Sequence, residues 1–377
     1  MYTICGAITC LITHKANKLI LSRYKTNQKV GKTFLVFVAL IFACVAAIRD
    51  YNIGTDIKFY VLPVFNSALN NDFSTYWSIN SNTIEPLYLL LNYFCSIISD
   101  EPRLLMGGLS FIISILVILR LSDYKENRKM WIGIFVYNFA FFPISLNLMR
   151  QSVAMAILFY STRYIFAEKT KLRNFFIGTL LAMGFHFTGV IGLFLLLLQW
   201  YYKKDILKNE LVSKGTTFKT MVMVVVLIIG VLLFDKVIAI IVPLSSFTQK
   251  YSSYYTSIGK NIDFNPLLVR LPFVIMIFLH RKEFYKKQSE NYLLFMLMLT
   301  DMLTSLLRSY SSTLYRISIY FAYYKMISMP NYIATYYKNK KILMSVVICA
   351  MFYVIWIYQI VIQGNEQVFP YTANWLF

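Results

Sequence analysis

The sequence predicts an all-α, polytopic integral membrane protein, and three observations predict it. Of 377 residues, 58% are hydrophobic and only 14% are charged, whereas an average soluble domain carries about 25% charged residues. Apolar runs recur along the chain, at Thr33–Ile48, Leu104–Leu121, Met221–Val242, Tyr292–Leu307 and Ile342–Ile362, each near the roughly 20 residues that cross a bilayer as a helix. Lysine and arginine gather in short clusters between these runs, the pattern of cytoplasmic loops. The longest polar stretches, 49–82 and 244–264, are loop-sized. A single multi-span domain over residues 1–377, with about 10 to 12 spans, is expected.

Taken in order, Met1 to Ile12 is apolar with no basic region before it and no evident cleavage site. It reads as a short first span and not as a removable signal peptide. The basic clusters Lys15–Lys32, Arg120–Lys129, Lys169–Arg173, Lys203–Lys219, Arg281–Lys287 and Lys338–Lys341 are assigned to the cytoplasm. The connections Arg49–Thr83, Asn147–Gln151, Ser245–Asn265, Arg308–Arg316 and the tail from Gln363 then face outward. Two segments resist a plain count. Asn174–Tyr202 is too long for one helix and has basic residues at both ends, so a broken or hairpin pair turning near Phe185 and His186 is expected. Pro86–Ser99 is short and contains Asn92, and it reads as a re-entrant or tilted segment bordering a wet cavity, since irregular backbone at that depth needs protein or water partners.

Composition also excludes classes. The net charge of +20 is spread over loops between spans, which argues against nucleic acid as a partner. The five cysteines, Cys5, Cys10, Cys44, Cys95 and Cys349, form no CxxC or His/Cys cluster, so no zinc site is expected. Aromatic residues make up 17%. Those in polar outer segments, Tyr251, Tyr254, Tyr255 and Tyr371, suit an interfacial belt, with stacking on sugar rings as the second use.

The chemistry must lie among polar groups held at or near membrane depth, where charge is costly. Arg49-Asp50 with Gly54-Thr55-Asp56 and Tyr60 closes one span, and Gly54 permits a turn that gathers an arginine and two carboxylates. The plainer alternative is a solvated helix end. Glu85-Pro86 opens the short segment, where a carboxylate and a proline also suit a helix start. Arg150 and Gln151 follow Asn147. Arg150 either snorkels to the interface or holds a phosphate in its planar fork. His186 is poor evidence for a metal but suits proton transfer near neutral pH. Asp301 and Arg308 share an apolar stretch, followed by Tyr310, Tyr315, Arg316, Tyr320 and Phe321. Asp301 either neutralises an arginine on an adjacent helix or serves a site, and Arg316 with its aromatic neighbours suits a lipid-linked head group.

The ordered set Arg49-Asp50, Gly54-Thr55-Asp56, Tyr60, Glu85-Pro86-Leu87-Tyr88, Arg150-Gln151 with Ala154, Ala182 with Phe185-His186, and Arg316 with Tyr320-Phe321 resembles the EpsG family of polysaccharide polymerases. The first span is shorter than is usual in that family. The resemblance implies a GT-C-like, Wzy-like glycosyltransferase of the bacterial cytoplasmic membrane with its site facing outward. It also implies a substrate, an oligosaccharide on undecaprenyl diphosphate, transferred to a hydroxyl of another lipid-linked unit to build O-antigen, capsule or exopolysaccharide. A flippase and a chain-length regulator are the implied partners besides membrane lipid.

Set against that chemistry, a diphosphate leaving group needs fixed cations. Arg150 and Arg316 come first and Arg49 third, with Tyr60, Gln151, Arg308 and Tyr320 as further substrate contacts. The acceptor hydroxyl needs a base, for which Asp50, Asp56, Glu85 and His186 all stand open. No cofactor and no metal are expected, because the outer loops carry arginine and no DxD-type acidic pair, and direct inverting displacement suits so good a leaving group. A flippase should show repeated halves, which the sequence lacks. An O-acyltransferase leaves Arg49–Asp56 and Arg150 without a role. A lipid-linked glycan ligase uses nearly the same donor chemistry and differs in its acceptor.

Overall fold

The computed structural model describes residues 1–125, 129–166, 171–207, 213–233, 263–288, 290–336 and 338–374. The expected outer connection Ser245–Asn265, with Tyr251, Tyr254 and Tyr255, lies mostly outside these residues, as does the end of the run Met221–Val242. The fold is all-α and polytopic. Among the described residues the only extended pairing is an isolated antiparallel bridge between Arg49 and Ala373. Six helical stretches are long and apolar enough to span a membrane, and four shorter apolar helices accompany them, Pro86–Ile98, Leu172–Phe185, Phe187–Lys203 and Asn265–Leu279.

The chain forms two compact units, Met1–Phe194 with Met329–Phe377, and Leu195–Ser328. In the first, α1 (Tyr2–Ile20), α2 (Lys25–Ile48), α3 (Leu62–Asn70), α4 (Phe73–Asn80), α5 (Pro86–Ile98) and α6 (Arg103–Ser122) follow in order. The helix α1 runs beyond the apolar stretch that ends at Ile12, through Lys15 and Lys18, because its buried stripe Cys5, Thr9, Thr13, Ala16 and Ile20 recurs at helical spacing. It packs on α2, which in turn packs on α6. Gly107 of α6 lies where a Cβ would sit 3.2 Å from that of Ala47, so the two backbones approach closely.

Next come α7 (Met130–Val136) and α8 (Phe142–Asn147), joined by a π turn at Tyr137–Phe141. Pro143 stands in the first turn of α8. A proline has no N–H to give, and the wider turn before it absorbs the lost bond. The helix breaks again at Leu148 (φ −86, ψ 58), after which α9 (Met149–Ser161) and α10 (Arg163–Phe166) run on. The helix α11 (Leu172–Phe185) ends where expected: His186 is extended (φ −159, ψ 127), a 3-10 turn covers Phe187–Val190, and α12 (Ile191–Leu207) continues. The last helix, α19 (Lys338–Trp356), packs on α7.

Two sets of contacts tie the loops and helix ends of the first unit. On the basic side, Asn17 donates to the Lys125 carbonyl at 2.9 Å, Arg163 pairs with Asp123 at 2.6 Å, and Lys129 reaches Ser345 at 3.4 Å. On the opposite side the Arg49–Asp56 turn, Asn147 and the tail after Gln363 converge.

The second unit contains most of α12, α13 (Lys214–Leu232), α14 (Asn265–Leu279), α15 (Arg281–Lys287), α16 (Glu290–Thr304) and α17 (Ser312–Ala322), and the start of α18 (Lys325–Ala334). Here α16 is the central helix, nearly all of its residues buried, packed by α13, α14 and α17.

Candidate functional site

The first unit brings four of the singled-out segments together, and each is delivered by an interruption of regular helix. Gly54 has φ +85, and a Cβ there would lie 2.9 Å from the Leu146 carbonyl oxygen, so the turn requires glycine. That turn is held by Asn147, whose Oδ1 accepts from the Thr55 hydroxyl at 3.0 Å and from the Asp56 amide at 3.1 Å. It leads into a π turn, Ile57–Val61, that carries Tyr60.

The break at Leu148 releases the Leu146 carbonyl from intrahelical bonding, and Arg49 takes it. The Arg49 side chain is fully buried, donating to that oxygen and lying 2.9 Å from the Met149 sulfur. Burial lowers its pKa to about 10, which leaves it charged at neutral pH. The structure places Arg49 as a brace between the end of α2 and the start of α9.

Arg150 occupies the centre of the constellation. Its guanidinium carbon lies 4.5 Å from the centre of the Tyr60 ring and 5.5 Å from that of Tyr88, distances at which a cation is attracted to an aromatic face. One nitrogen donates to Glu85 Oε2 at 2.6 Å. Glu85 precedes α5, with Pro86 at its first turn, yet its carboxylate does not cap that helix. The other oxygen, Oε1, accepts the amide of Phe187 at 3.2 Å. One carboxylate thus joins the starts of α5 and α9 to the break after α11, and both its oxygens are engaged. The pair is nearly buried, with side chains 12% and 8% exposed.

His186 lies at that break. Its Nδ1 accepts the Thr188 amide at 3.3 Å and meets the Thr188 hydroxyl at 2.6 Å. Asp56 is half-buried, within electrostatic reach of both Arg49 and Tyr88. Asp50 turns locally, accepting from the backbone and side-chain nitrogens of Asn52 at 2.8 and 2.7 Å, while its own amide donates to Thr372. Gln151 is buried in α9. The Tyr88 hydroxyl and both amide atoms of Asn92, one turn further along α5, are buried without a partner in hydrogen-bond geometry.

The second unit holds a different cluster. Asp301 on α16 is fully buried and pairs with Arg270 of α14 at 2.7 Å and with Lys325 at the start of α18. Arg270 also donates to the Pro266 carbonyl, the Tyr315 hydroxyl and Ser318. The expected arginine neighbour of Asp301 is therefore Arg270. Nothing in the spacing of Arg270, 31 residues earlier, marks it as the partner. Arg308 is half-exposed beside Tyr315 and lies 3.7 Å from Asp263. Arg316 is half-buried on α17 and Tyr320 is buried on the same helix.

Among the described residues no group of three or more His, Cys, Asp or Glu side chains comes together that could hold a metal ion. The arrangement in the first unit offers a stacked, hydrogen-bonded cation in Arg150, an imidazole in His186 and a carboxylate in Asp56. Compared with known proteins, residues 32–373 match the family model described as "EpsG family". No curated protein and no solved structure matches the chain.

Proposed function

The chain belongs to the EpsG family, which carries a polysaccharide polymerase-type, glycosyltransferase-like role in the membrane, and from that premise we propose that it joins lipid-linked oligosaccharides. The donor is an oligosaccharide on undecaprenyl diphosphate. The acceptor is a hydroxyl of a second lipid-linked unit, on the outer face of the bacterial cytoplasmic membrane. A flippase that delivers the units and a chain-length regulator are the proposed partners.

The observation that carries this reading is Arg150, held between two tyrosine rings and a carboxylate. A guanidinium fixed in this way costs no reorganisation when negative charge develops on a departing phosphate. The acceptor oxygen attacks the anomeric carbon, the bond from that carbon to the diphosphate oxygen breaks, and the configuration inverts. The acceptor proton passes to a carboxylate. We assign that base to Asp56, the carboxylate within electrostatic reach of Arg49 and Tyr88, since Glu85 is engaged by Arg150 and Phe187 and Asp50 turns to Asn52. Glu85 then positions Arg150, and His186 is proposed as a further polar contact to substrate. Arg308 and Arg316 are proposed as contacts to lipid phosphates on the second unit.

The test is a gel assay of the purified protein in liposomes supplied with a cognate undecaprenyl diphosphate repeat unit. Wild type should produce a ladder, and folded Arg150→Ala should lose it, by on the order of 10²- to 10³-fold in rate. Folded wild type that makes no ladder overturns polymerisation. If it instead joins the glycan to a different acceptor, the protein is a ligase.

A further inference from the structure

The C-terminal segment after α19 is bound back over the first unit by a series of hydrogen bonds. Tyr2 donates its hydroxyl to the Val368 carbonyl at 2.8 Å, and Tyr371 donates to the Val45 carbonyl at 2.6 Å. Asp50 and Gly54 donate their amides to the carbonyls of Thr372 and Gln367, both at 3.0 Å, and Asn374 donates to the Ile48 carbonyl at 2.9 Å. One side-chain pair enters the constellation described above: Asn147 Nδ2 donates to Glu366 Oε2 at 2.7 Å. Glu366 and Gln367 have φ of +65 and +51, and Gly364 has +65. Three of four successive residues are thus left-handed, a conformation that non-glycine residues rarely adopt and that clusters where surrounding structure imposes it.

Asn147 has one amide, and the two ends of that amide do different work. Its oxygen holds the Thr55 hydroxyl and the Asp56 amide, and its nitrogen is held by Glu366. Asn147 also stands three residues before Arg150, at the break between α8 and α9. Orienting this amide therefore sets the turn that carries Asp56 and Tyr60 against the helix start that carries Arg150. A carboxylate acceptor makes a stronger and more directional bond than a neutral one, and it also settles which end of the amide faces the turn.

We infer that Glu366 is a positioning residue for the Asp56–Arg150 face, acting through Asn147, with the C-terminal segment as a strap that completes the first unit's site. The inference rests on the proposed role of that face in glycosyl transfer. Its chemistry asks for a hydrogen-bond acceptor at position 366 and not for a titrating group. Glutamine should serve there and alanine should not.

The experiment is site-resolved amide hydrogen exchange on the full chain in nanodiscs, with Glu366→Ala, Glu366→Gln and Asn147→Asp compared to wild type. In Glu366→Ala the Gly54 and Asp56 amides should exchange at least about 10-fold faster, while residues 290–304 in the second unit keep their wild-type protection. Glu366→Gln should restore both amides. Asn147→Asp keeps the oxygen that accepts from Asp56 but sets a second carboxylate against Glu366. It should therefore release Gly54 and spare Asp56, and it serves as the probe if Glu366→Ala does not fold. In the ladder assay, Glu366→Ala should lose on the order of 10- to 100-fold and Glu366→Gln should recover most of it. Unchanged exchange at Gly54 and Asp56 in folded Glu366→Ala overturns the proposal, as does a glutamine variant as damaged as the alanine one. The exchange readings need no substrate, so failure of the polymerase reading would appear in the wild-type ladder alone.

Discussion

The two units each bury an arginine against a carboxylate, and they do so to different ends. In the first, Arg150 and Glu85 balance one to one, keep a small part of each side chain exposed and bring aromatic faces, a histidine and a second carboxylate with them. In the second, Asp301 is fully buried beneath two cations, Arg270 and Lys325, and most of the guanidinium's donors are spent on oxygens of the same unit. Removing the carboxylate from the second arrangement leaves two buried cations with no counter-charge in a region that cannot solvate them. Removing either partner from the first leaves a single charge whose side chain is still partly exposed. An ion pair at membrane depth is thus not by itself a sign of chemistry. What separates the two is whether donor capacity is left over and whether anything can approach it.

Four substitutions would break or sharpen this contrast. The largest effect is expected for Asp301→Ala, which leaves Arg270 and Lys325 facing each other and should cost about 3–5 kcal/mol, seen as loss of folded protein by size-exclusion chromatography and thermal unfolding. Arg150→Lys keeps the charge but not the planar fork or the stacking on Tyr60 and Tyr88. It should lower ladder formation about 10- to 100-fold with the unfolding temperature nearly unchanged, and equal loss of stability and activity would put Arg150 in the same structural class as Arg270. Gly54→Ala must hold φ +85 and push against the Leu146 carbonyl. A cost of about 1–2 kcal/mol is expected, read as a lower unfolding temperature. The smallest effect belongs to Asp50→Asn, where one oxygen still accepts from Asn52. Stability should move by no more than about 0.5 kcal/mol, and a total loss of activity in that variant would return Asp50 to the list of bases.

Much of the fold was legible because the bilayer makes hydrophobic pattern a near-complete guide to helices. The turn at His186 could be read from a run too long for one helix with basic residues at both ends, and the helix start at Glu85 from the proline that follows it. The clustering of Arg49, Gly54, Asp56 and Tyr60 was legible too, since one glycine-containing turn joins them. What those residues do with their side chains was not. Arg49 and Arg150 look alike in sequence, each beside a span end, and only the helix break at Leu148 decides that Arg49 turns inward to a freed carbonyl. Arg270 and Lys325 escaped notice because each sits among ordinary neighbours and gains meaning only from Asp301 on another helix. Glu366 lies in a polar tail where a lone carboxylate attracts no attention, and its pairing with Asn147 spans 219 residues. Spacing along a helix or turn can be read from a chain; partners brought together by packing between distant helices cannot.

The bond from Tyr2 to Val368 joins residues 366 positions apart. A ribosome adding about 5–20 residues per second takes roughly 20–70 s to cover that distance. For that time the first helix and the Gly54 turn are already made while the segment that will bind them is not. The whole second unit is synthesised in between, so the first unit must wait in the membrane, open, through the birth of its neighbour. A chain stalled or cut before residue 364 would have all its long apolar helices but would lack the contacts that close the Gly54 turn.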